Sequence, residues 1–532
     1  MSKAKFGMVG LGTMGRNFLL NVADSGFACV GYDLDVEKRE LLLNEGREWD
    51  VAAAESPADL IAKLVTPRAI MLLVPAGPIV DSVIAQLLPL LEKGDLIIDG
   101  GNSHFADTER REASLAESGI GFLGVGVSGG EEGARLGPSI MPGGNAEFYK
   151  HVAPIFESVA AKVNGEPCVA YIGTGSAGHF VKMVHNGIEY GLMQILAETY
   201  DFMLRVLKMD YREMSDTFSK WNNTDLNSFL VEITVEVLKK EDAETGKALV
   251  EMVLDKAAQK GTGKWTSQAA MDLGVPIPTI DSAVSMRQIS AQKEVRVKIA
   301  EKIGCKAFPE SQQQQTNGET VSSQLETGPK AARAEREVET DASIQHGDSG
   351  ARSGTPDGNV SRAKLSQTAE VRSEFNADRE RSLEKLKNTL LSSFIITYAQ
   401  GLSLLQVASV EKQYGLNLAE IAKIWRGGCI IRSALLEQMR AAFAAEPDLP
   451  NLILSDDFAQ ILVDNSSDWH TIIGEFSRSR IPSLCLSSAL SYFEAFRSNR
   501  LPANLIQAQR DFFGAHTYQR TDKEGVFHTP DW

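Results

Sequence analysis

Between Gly173 and Gly191 the chain reads GTGSAGHFVKMVHNGIEYG. After the glycine-rich turn, Lys182, His185, Asn186, Glu189 and Tyr190 follow one another at i, i+3, i+4, i+7 and i+8. In an α-helix those offsets share one face. Val181, Met183, Val184, Ile188 and Leu192 cover the remaining surface with apolar groups. A polar stripe on an otherwise apolar helix inverts the pattern of a surface helix. Lys182 and Glu189 would stand roughly 10 Å apart, enough to bracket a small ligand. An amine and a carboxyl so placed suit acid–base chemistry. A lysine can act as a base near neutral pH only if its pKa is lowered, and burial on an apolar helix supplies that shift. A structural hydrogen-bond network inside a buried helix would produce the same stripe; five adjacent polar groups weigh toward function.

The elements needed to position such a helix are legible upstream. An apolar run over residues 5–9 leads into Gly10-Leu11-Gly12-Thr13-Met14-Gly15, and a helical pattern follows from Arg16. This is GxGxxG between a strand and a helix, the context in which the motif points to a dinucleotide pyrophosphate at a helix N-terminus. A second strand, 28–32, ends at Asp33, where an acidic group would meet the adenosine ribose. Further strands are expected at 69–74, 96–99, 121–127 and 169–172, separated by helical patterns, as a doubly wound sheet requires. Three polar loops, Val74-Pro75-Ala76-Gly77, Asp99-Gly100-Gly101-Asn102-Ser103 and Val127-Ser128-Gly129-Gly130, fall at strand C-termini. That is the edge at which such sheets bind ligands.

At 532 residues the chain is too long for one core, and 43% hydrophobic residues can fill more than one. The net charge of −16 weighs against nucleic acid and acidic membranes as partners, without forbidding an anionic substrate in a local basic pocket. Cys29, Cys168, Cys305, Cys429 and Cys485 are scattered, odd in number and without metal-type spacing, which suits reduced thiols in a cytoplasmic protein. The start reads as a folded strand rather than a targeting peptide. No uninterrupted apolar run has the ~18 residues of a membrane span. Beyond Gly191 the patterns are almost wholly helical, broken at Lys260-Gly261-Thr262-Gly263-Lys264-Trp265, a turn that presents a lysine and glycine amides to an anion. A second break, Trp425–Arg432, reads as a packing and interface element rather than a catalytic one.

The motifs GLGTMG, IIDGGNS, GVSGGEEGARLGPSIMPGG, GHFVKMVHNGIEYG, QKGTGKWT, IWRGGCIIRS and IQAQRDFFGAHTY occur in this order along the chain. Together the chain resembles the 6-phosphogluconate dehydrogenase family of the β-hydroxyacid dehydrogenase superfamily, over roughly residues 1–304 and 383–532. The resemblance implies an α/β Rossmann domain followed by a large all-α domain and a C-terminal tail. The boundaries expected are 1–176, 177–488 and 489–532, the tail reaching the partner subunit of a homodimer. It implies oxidative decarboxylation of 6-phosphogluconate to ribulose 5-phosphate and carbon dioxide with reduction of NAD(P), in the pentose phosphate pathway and gluconate utilisation, in the cytoplasm and without a metal. By position Lys182 resembles the family's general base and Glu189 its general acid. Asn102, Ser128, Gly129, Gly130, His185 and Asn186 match its substrate-binding positions. Tyr190, Lys260, Arg287, Arg510 and His516 match the phosphate site, the last two from the other subunit. Gly10, Leu11, Gly12, Thr13, Met14, Gly15, Asp33, Leu34, Asp35, Val74, Pro75, Ala76 and Asn102 match the cofactor site.

Three features depart from the family. Asp33-Leu34-Asp35 stands where the family usually carries Asn-Arg-Thr, whose arginine holds the 2′-phosphate of NADP. A carboxylate there favours the free 2′-hydroxyl of NAD, while Lys38 and Arg39 could still offer positive charge, so both cofactors stay open. Pro75 replaces a common lysine and removes a charge and a backbone donor. Residues 306–380 contain QQQQ, lack Trp, Tyr and Cys, and are poor in apolar groups beside the rest of the chain. They read as a disordered insertion within the helical domain, with the helix resuming near Leu383. The tail from Gly514 to Trp532 is polar with isolated aromatics, so its order is expected to depend on a second subunit. Two other readings compete: an NAD-dependent 3-hydroxyacid dehydrogenase of the same superfamily, and a catalytically silent regulatory paralogue.

Overall fold

The computed structural model describes residues 3–303 and 359–532. The chain divides into two units, residues 1–304 with 382–532, and residues 305–381. All that follows concerns the first. Much of the predicted insertion, residues 306–358, lies outside the described residues.

The N-terminal part is built on seven strands. They are β1 (Phe6–Val9), β2 (Cys29–Tyr32), β3 (Val51–Ala53), β4 (Ala69–Leu72), β5 (Leu96–Asp99), β6 (Gly121–Ser128) and β7 (Ser139–Gly144). Their order across the sheet is β3-β2-β1-β4-β5-β6-β7, parallel except for the antiparallel β6–β7 pair. The strands are short apolar runs because helices cover both faces. The helices are α1 (Thr13–Asp24), α2 (Val36–Glu45), α3 (Pro57–Lys63), α4 (Pro78–Leu87), α5 (Phe105–Ala116), α6 (Gly130–Leu136) and α7 (Ala146–Val159). One face packs around Phe6, Phe18 and Phe156, whose rings meet at 6.3–6.4 Å between centroids. The other packs around Ile70, Ile97 and Val80.

Two sequence expectations need correction. The strand expected at 169–172 is instead a segment joined to β7 by the isolated bridges Ile140–Val169 and Gly143–Gly173 and by the Tyr171 hydroxyl, which donates to the Gly144 carbonyl oxygen at 2.6 Å. Its place in the sheet is taken by β7, whose SIMPGG sequence carries a proline and two glycines and gives no strand signal. The other correction concerns α15: it begins at Asn359 rather than near Leu383, so the C-terminal end of the predicted disordered segment is helical.

The helical part comprises α8 (Ala177–Arg205), α9 (Tyr211–Trp221), α10 (Phe229–Lys239), α11 (Leu249–Met252), α12 (Thr262–Asp272), α13 (Pro278–Ala291), α14 (Lys293–Ile303) and α15 (Asn359–Glu411). It continues with α16 (Leu418–Trp425), α17 (Leu435–Ala445), α18 (Asp456–Arg478), α19 (Leu484–Phe496) and α20 (Ala503–Gly514). The stretch Asp378–Glu411 has the length and hydropathy to cross a bilayer, yet 83% of its apolar window is buried within the protein. It is a central helix of the helical core.

Helix α8 joins the two parts, and glycines set its position. A methyl group added at Gly178 would lie 2.2 Å from the Gly124 carbonyl oxygen, 2.3 Å from that of Met141 and 2.7 Å from the Gly143 nitrogen. One added at Gly126 would lie 2.5 Å from Lys182 Cβ. Backbone thus meets backbone where α8 crosses the middle of the β6–β7 pair, at Gly124 opposite Gly143 and Gly126 opposite Met141, and Lys182 leaves the helix directly over β6. Farther along, Gly187 admits Thr266 of α12, whose hydroxyl donates to the Met183 carbonyl at 2.9 Å. Gly191 likewise admits Thr397 of α15.

The variant Gly178→Ala tests this crossing, because no flexible side chain is available to yield. Overpacking of this kind costs about 1–3 kcal/mol or more. The expected result is a lowered thermal midpoint and activity lost with it; an unchanged midpoint would show that the crossing is not tight.

Candidate active site

The stripe on α8 is buried. Lys182 is 6% exposed, His185 0%, Asn186 8% and Tyr190 5%, while Glu189 is partly covered. Burial drives Lys182 down from an ordinary lysine value, against the pull of the Glu189 carboxylate and the Cys429 sulfur. Burial also pushes Glu189 up, opposed by Lys182 and Arg287. Both shifts carry the pair toward a neutral amine beside a neutral carboxylic acid, which removes two charges from a poorly solvated place. His185 is pushed well below the usual imidazole range, first by burial and then by Lys182. Its ring is held at three points. Nδ1 lies 3.3 Å from the Asn186 amide oxygen, Nε2 lies 3.3 Å from Ser128 Oγ, and the Trp425 indole meets it edge-on at 5.6 Å between centroids. An amide oxygen only accepts, so Nδ1 carries the proton and Nε2 accepts from the Ser128 hydroxyl.

Opposite the stripe lie Ser128, Gly129 and Gly130 at the end of β6. Gly129 has φ +123°, and a methyl group there would come within 2.7 Å of the Gly428 carbonyl oxygen, which also accepts from the Ser139 N–H at 2.8 Å. The Trp425–Arg432 loop therefore forms a wall of the site. It supplies Trp425 against His185 and Cys429 beside Lys182, with the Cys429 thiol pushed up to about 12 by burial, Lys182 pulling the other way. The sequence reading gave this loop a packing role and missed its place in the site; the break in helical periodicity at Arg426-Gly427-Gly428 was the available signal.

At the sheet edge, Gly10 adopts φ +96° and Gly15 would collide with the Gly10 carbonyl oxygen if it bore a side chain. Gly12 opens onto free space and caps α1 without a side-chain hydrogen bond. The uncapped N–H groups of α1 fit a pyrophosphate. Thr13 is exposed beside Gly12, with Leu11 and Met14 turned inward. Asp33 accepts from the Leu11 N–H at 2.7 Å through Oδ2 and from the Asp35 N–H at 3.0 Å through Oδ1. Leu34, between the two carboxylates, is 83% exposed. Lys38 lies 3.6 Å from Asp33 and 3.8 Å from Asp35, and Arg39 donates to the Asp33 carbonyl oxygen at 2.6 Å. The two cations that the sequence offered to a phosphate are thus engaged by this acidic turn.

The neighbouring loops share one buried guanidinium. Arg111 of α5 donates to Asp81, to Asp99 at 3.1 Å, to Ser103 and to the Gly77 carbonyl oxygen at 2.9 Å. It ties the Val74-Pro75-Ala76 loop, whose Val74 packs on Gly10, to the loop that exposes Asn102.

The far end of α8 carries the cationic group. Arg287 of α13 stacks on the Tyr190 ring at 3.4 Å and donates to the Ala258 carbonyl oxygen at 3.2 Å. Lys260 is exposed in the same turn, just before Gly261, which caps α12 with φ +93° and no side-chain bond. Arg510 and His516 are not brought to this cluster within one chain. Both are exposed on α20 and the turn after it, and among the described residues neither bonds to the α8 stripe. Within one chain the tail is held by its own contacts: Tyr518 and Phe527 exchange backbone hydrogen bonds at 2.8 Å, and Asp511 gathers the segment to Trp532.

Residues 5–173 match the sequence profile of the NAD binding domain of 6-phosphogluconate dehydrogenase, and residues 178–334 and 352–532 that of its C-terminal domain. The NADP(+)-dependent decarboxylating 6-phosphogluconate dehydrogenase of Bacillus subtilis is 43% identical over 532 residues, all of both chains. The decarboxylating 6-phosphogluconate dehydrogenase 1 of Saccharomyces cerevisiae is 44% identical over 517 residues, 97% of this chain and 93% of that one. A 6-phosphogluconate dehydrogenase of Plasmodium falciparum, solved in apo form and in complexes with NADP+ and 6-phosphogluconate, superposes with a TM-score of 0.83. It is 38% identical, over 99% of this chain and 100% of that one.

Proposed function

The chain belongs to the 6-phosphogluconate dehydrogenase family, and we propose that it oxidatively decarboxylates 6-phosphogluconate to ribulose 5-phosphate on the α8 stripe. The observation that carries this reading is the buried Lys182–Glu189 pair, with lysine shifted down and glutamic acid up. Neutral Lys182 takes the proton from the substrate 3-hydroxyl as hydride leaves C3. A bound nicotinamide dinucleotide supplies the hydride acceptor. The resulting β-keto acid loses carbon dioxide, since its ketone receives the electron pair. Protonated Lys182 gives its proton to the carbonyl oxygen as the enediol forms; Glu189 then protonates the carbon that bore the carboxyl group, C1 of the product, while Lys182 takes the hydroxyl proton back and leaves the ketone of ribulose 5-phosphate. His185, Asn186, Ser128, Gly129, Gly130 and Asn102 bind the sugar-acid hydroxyls and carboxylate. Tyr190, Lys260 and Arg287 bind the phosphate, joined by Arg510 and His516 from the second subunit of a homodimer. Guanidinium groups suit a phosphate dianion through charge-assisted hydrogen bonds.

Purified protein with 6-phosphogluconate should release carbon dioxide and reduced cofactor in equal amounts. Lys182→Arg should lower kcat by about 10²–10⁴-fold, because a guanidinium stays protonated and cannot serve as base. In the parent enzyme kcat/KM should fall as acid protonates Lys182 and fall again as alkali ionises Glu189. Reduced cofactor without carbon dioxide, or an active Lys182→Arg variant, would contradict the assignment.

The cofactor reading departs from the name of the Bacillus subtilis relative. Asp33 and Asp35 set two carboxylates where the 2′-phosphate of NADP would lie, Leu34 offers only an apolar surface, and Lys38 and Arg39 already serve the acidic turn. A carboxylate at the ribose accepts from a 2′-hydroxyl and repels a 2′-phosphate. The chain is therefore an NAD-preferring member. Its kcat/KM with NAD should exceed that with NADP by about tenfold or more, and the triple change Asp33→Asn, Leu34→Arg, Asp35→Thr should reverse the order. A wild-type preference for NADP would overturn this.

A further inference from the structure

Asp511 on α20 takes no part in the chemistry above, yet it is the most heavily bonded carboxylate of the tail. It is 0% exposed on a helix whose other residues face outward, so its cover comes from the tail itself. Oδ1 accepts from the Thr517 N–H at 2.9 Å and lies 2.9 Å from His528 Nδ1. Oδ2 accepts from the Thr529 N–H and the Trp532 indole N–H, both at 3.0 Å. Burial pushes this carboxyl up, but the bonds from Thr529, His528, Trp532 and Thr517 outweigh it and hold the group at about 2. It is an anion with every lone pair engaged.

The segment it holds is strained around one residue. Ala515 and Thr517 adopt φ +49° and +63°, left-handed conformations that cost non-glycine residues and mark sites where neighbours over-determine the backbone. His516 stands between them. Gly514 is needed there as well, since a methyl group on it would lie 2.6 Å from His516 Nε2. Gln507, one turn before Asp511, completes the arrangement. Its amide N–H donates to the Thr517 carbonyl oxygen at 2.6 Å and its amide oxygen accepts from Arg510 at 3.1 Å. Thr517 is thus held at its N–H by Asp511 and at its carbonyl by Gln507, with Arg510 anchored to the same Gln507.

We propose that Asp511, with Gln507, is a positioning residue that sets Arg510 and His516 as a preformed clamp for the substrate phosphate, presented as one unit to a second copy of the chain. The proposal rests on the reading that those two residues serve the phosphate. It is tested on the full-length protein by steady-state kinetics with 6-phosphogluconate and with gluconate, which lacks the phosphate. Asp511→Asn should raise KM for 6-phosphogluconate about tenfold, the scale of a lost charged hydrogen bond, and leave kcat/KM for gluconate unchanged. Gln507→Ala should act in the same direction, and it carries the test if Asp511→Asn does not fold. On a His516→Ala background, Asp511→Asn should add less than its effect alone, as coupled residues do. Equal losses for both substrates would mark a merely structural role and overturn the proposal, as would full additivity with His516→Ala. If His516→Ala raises KM but Asp511→Asn and Gln507→Ala do not, the proposal fails alone. If His516→Ala leaves KM for 6-phosphogluconate unchanged, the phosphate reading fails and takes the proposal with it.

Discussion

An amine sealed among apolar side chains loses the water its charge requires, and the rest of this site follows from that loss. Lys182 stands on a helix buried for most of its length, over a β-strand reduced to glycine beneath it at Gly126. Its nearest acid, Glu189, is driven toward its neutral form by the same poor solvation. Had the groups been exposed, each would return toward its ordinary charged form and offer neither a base nor an acid near neutral pH. The scaffold therefore has to bring α8 close enough to the sheet to exclude water while leaving room for a small anionic substrate. The contacts at Gly124, Gly126, Gly143 and Gly178 meet the first demand; at the end of β6, Gly130 meets the second, with nothing within 4 Å of where a side chain would stand.

Around that centre the chain uses fixed polar hubs to hold mobile kinds of backbone. Arg111 joins the loops after β4 and β5 through Gly77 and Asp99. Ser128, Asn186 and Trp425 fix the tautomer and plane of His185. Asp33 does the same for the glycine loop through the Leu11 N–H, and this is why an acidic residue at that position has a structural duty besides any contact with a ribose. In each hub a buried or half-buried polar group, charged at Arg111 and Asp33 and neutral at His185, meets several partners, the condition under which such a group is tolerated.

Much of this was legible in the residues, for physical reasons that vary by element. The α8 stripe could be read because periodicity of 3.6 survives burial, and GxGxxG because glycine is demanded by sterics at Gly10 and Gly15. β7 was missed: Pro142, Gly143 and Gly144 pair with β6 through tertiary packing that overrides weak strand propensity. The engagement of Lys38 and Arg39 by the acidic turn was not legible, because spacing shows where a cation lies in sequence, not which oxygen it meets. The contacts that hold the tail within one chain were not legible for a related reason. Its order comes from Asp511 meeting Thr529 and Trp532, contacts between residues far apart along a polar segment that has no periodicity. Arg510 and His516 remain apart from the α8 cluster within one chain.

The central claim is that burial makes Lys182 neutral at a pH where ordinary lysines are charged. Competitive labelling of the native protein with a trace of a small acylating reagent, read peptide by peptide by mass spectrometry across a pH series, measures this directly. Lys182 should gain reactivity at lower pH than the solvent-exposed lysines of the same molecule, and Glu189→Gln should lower that pH further by removing a carboxylate that favours the ammonium. Lys182 titrating together with the exposed lysines would contradict the account.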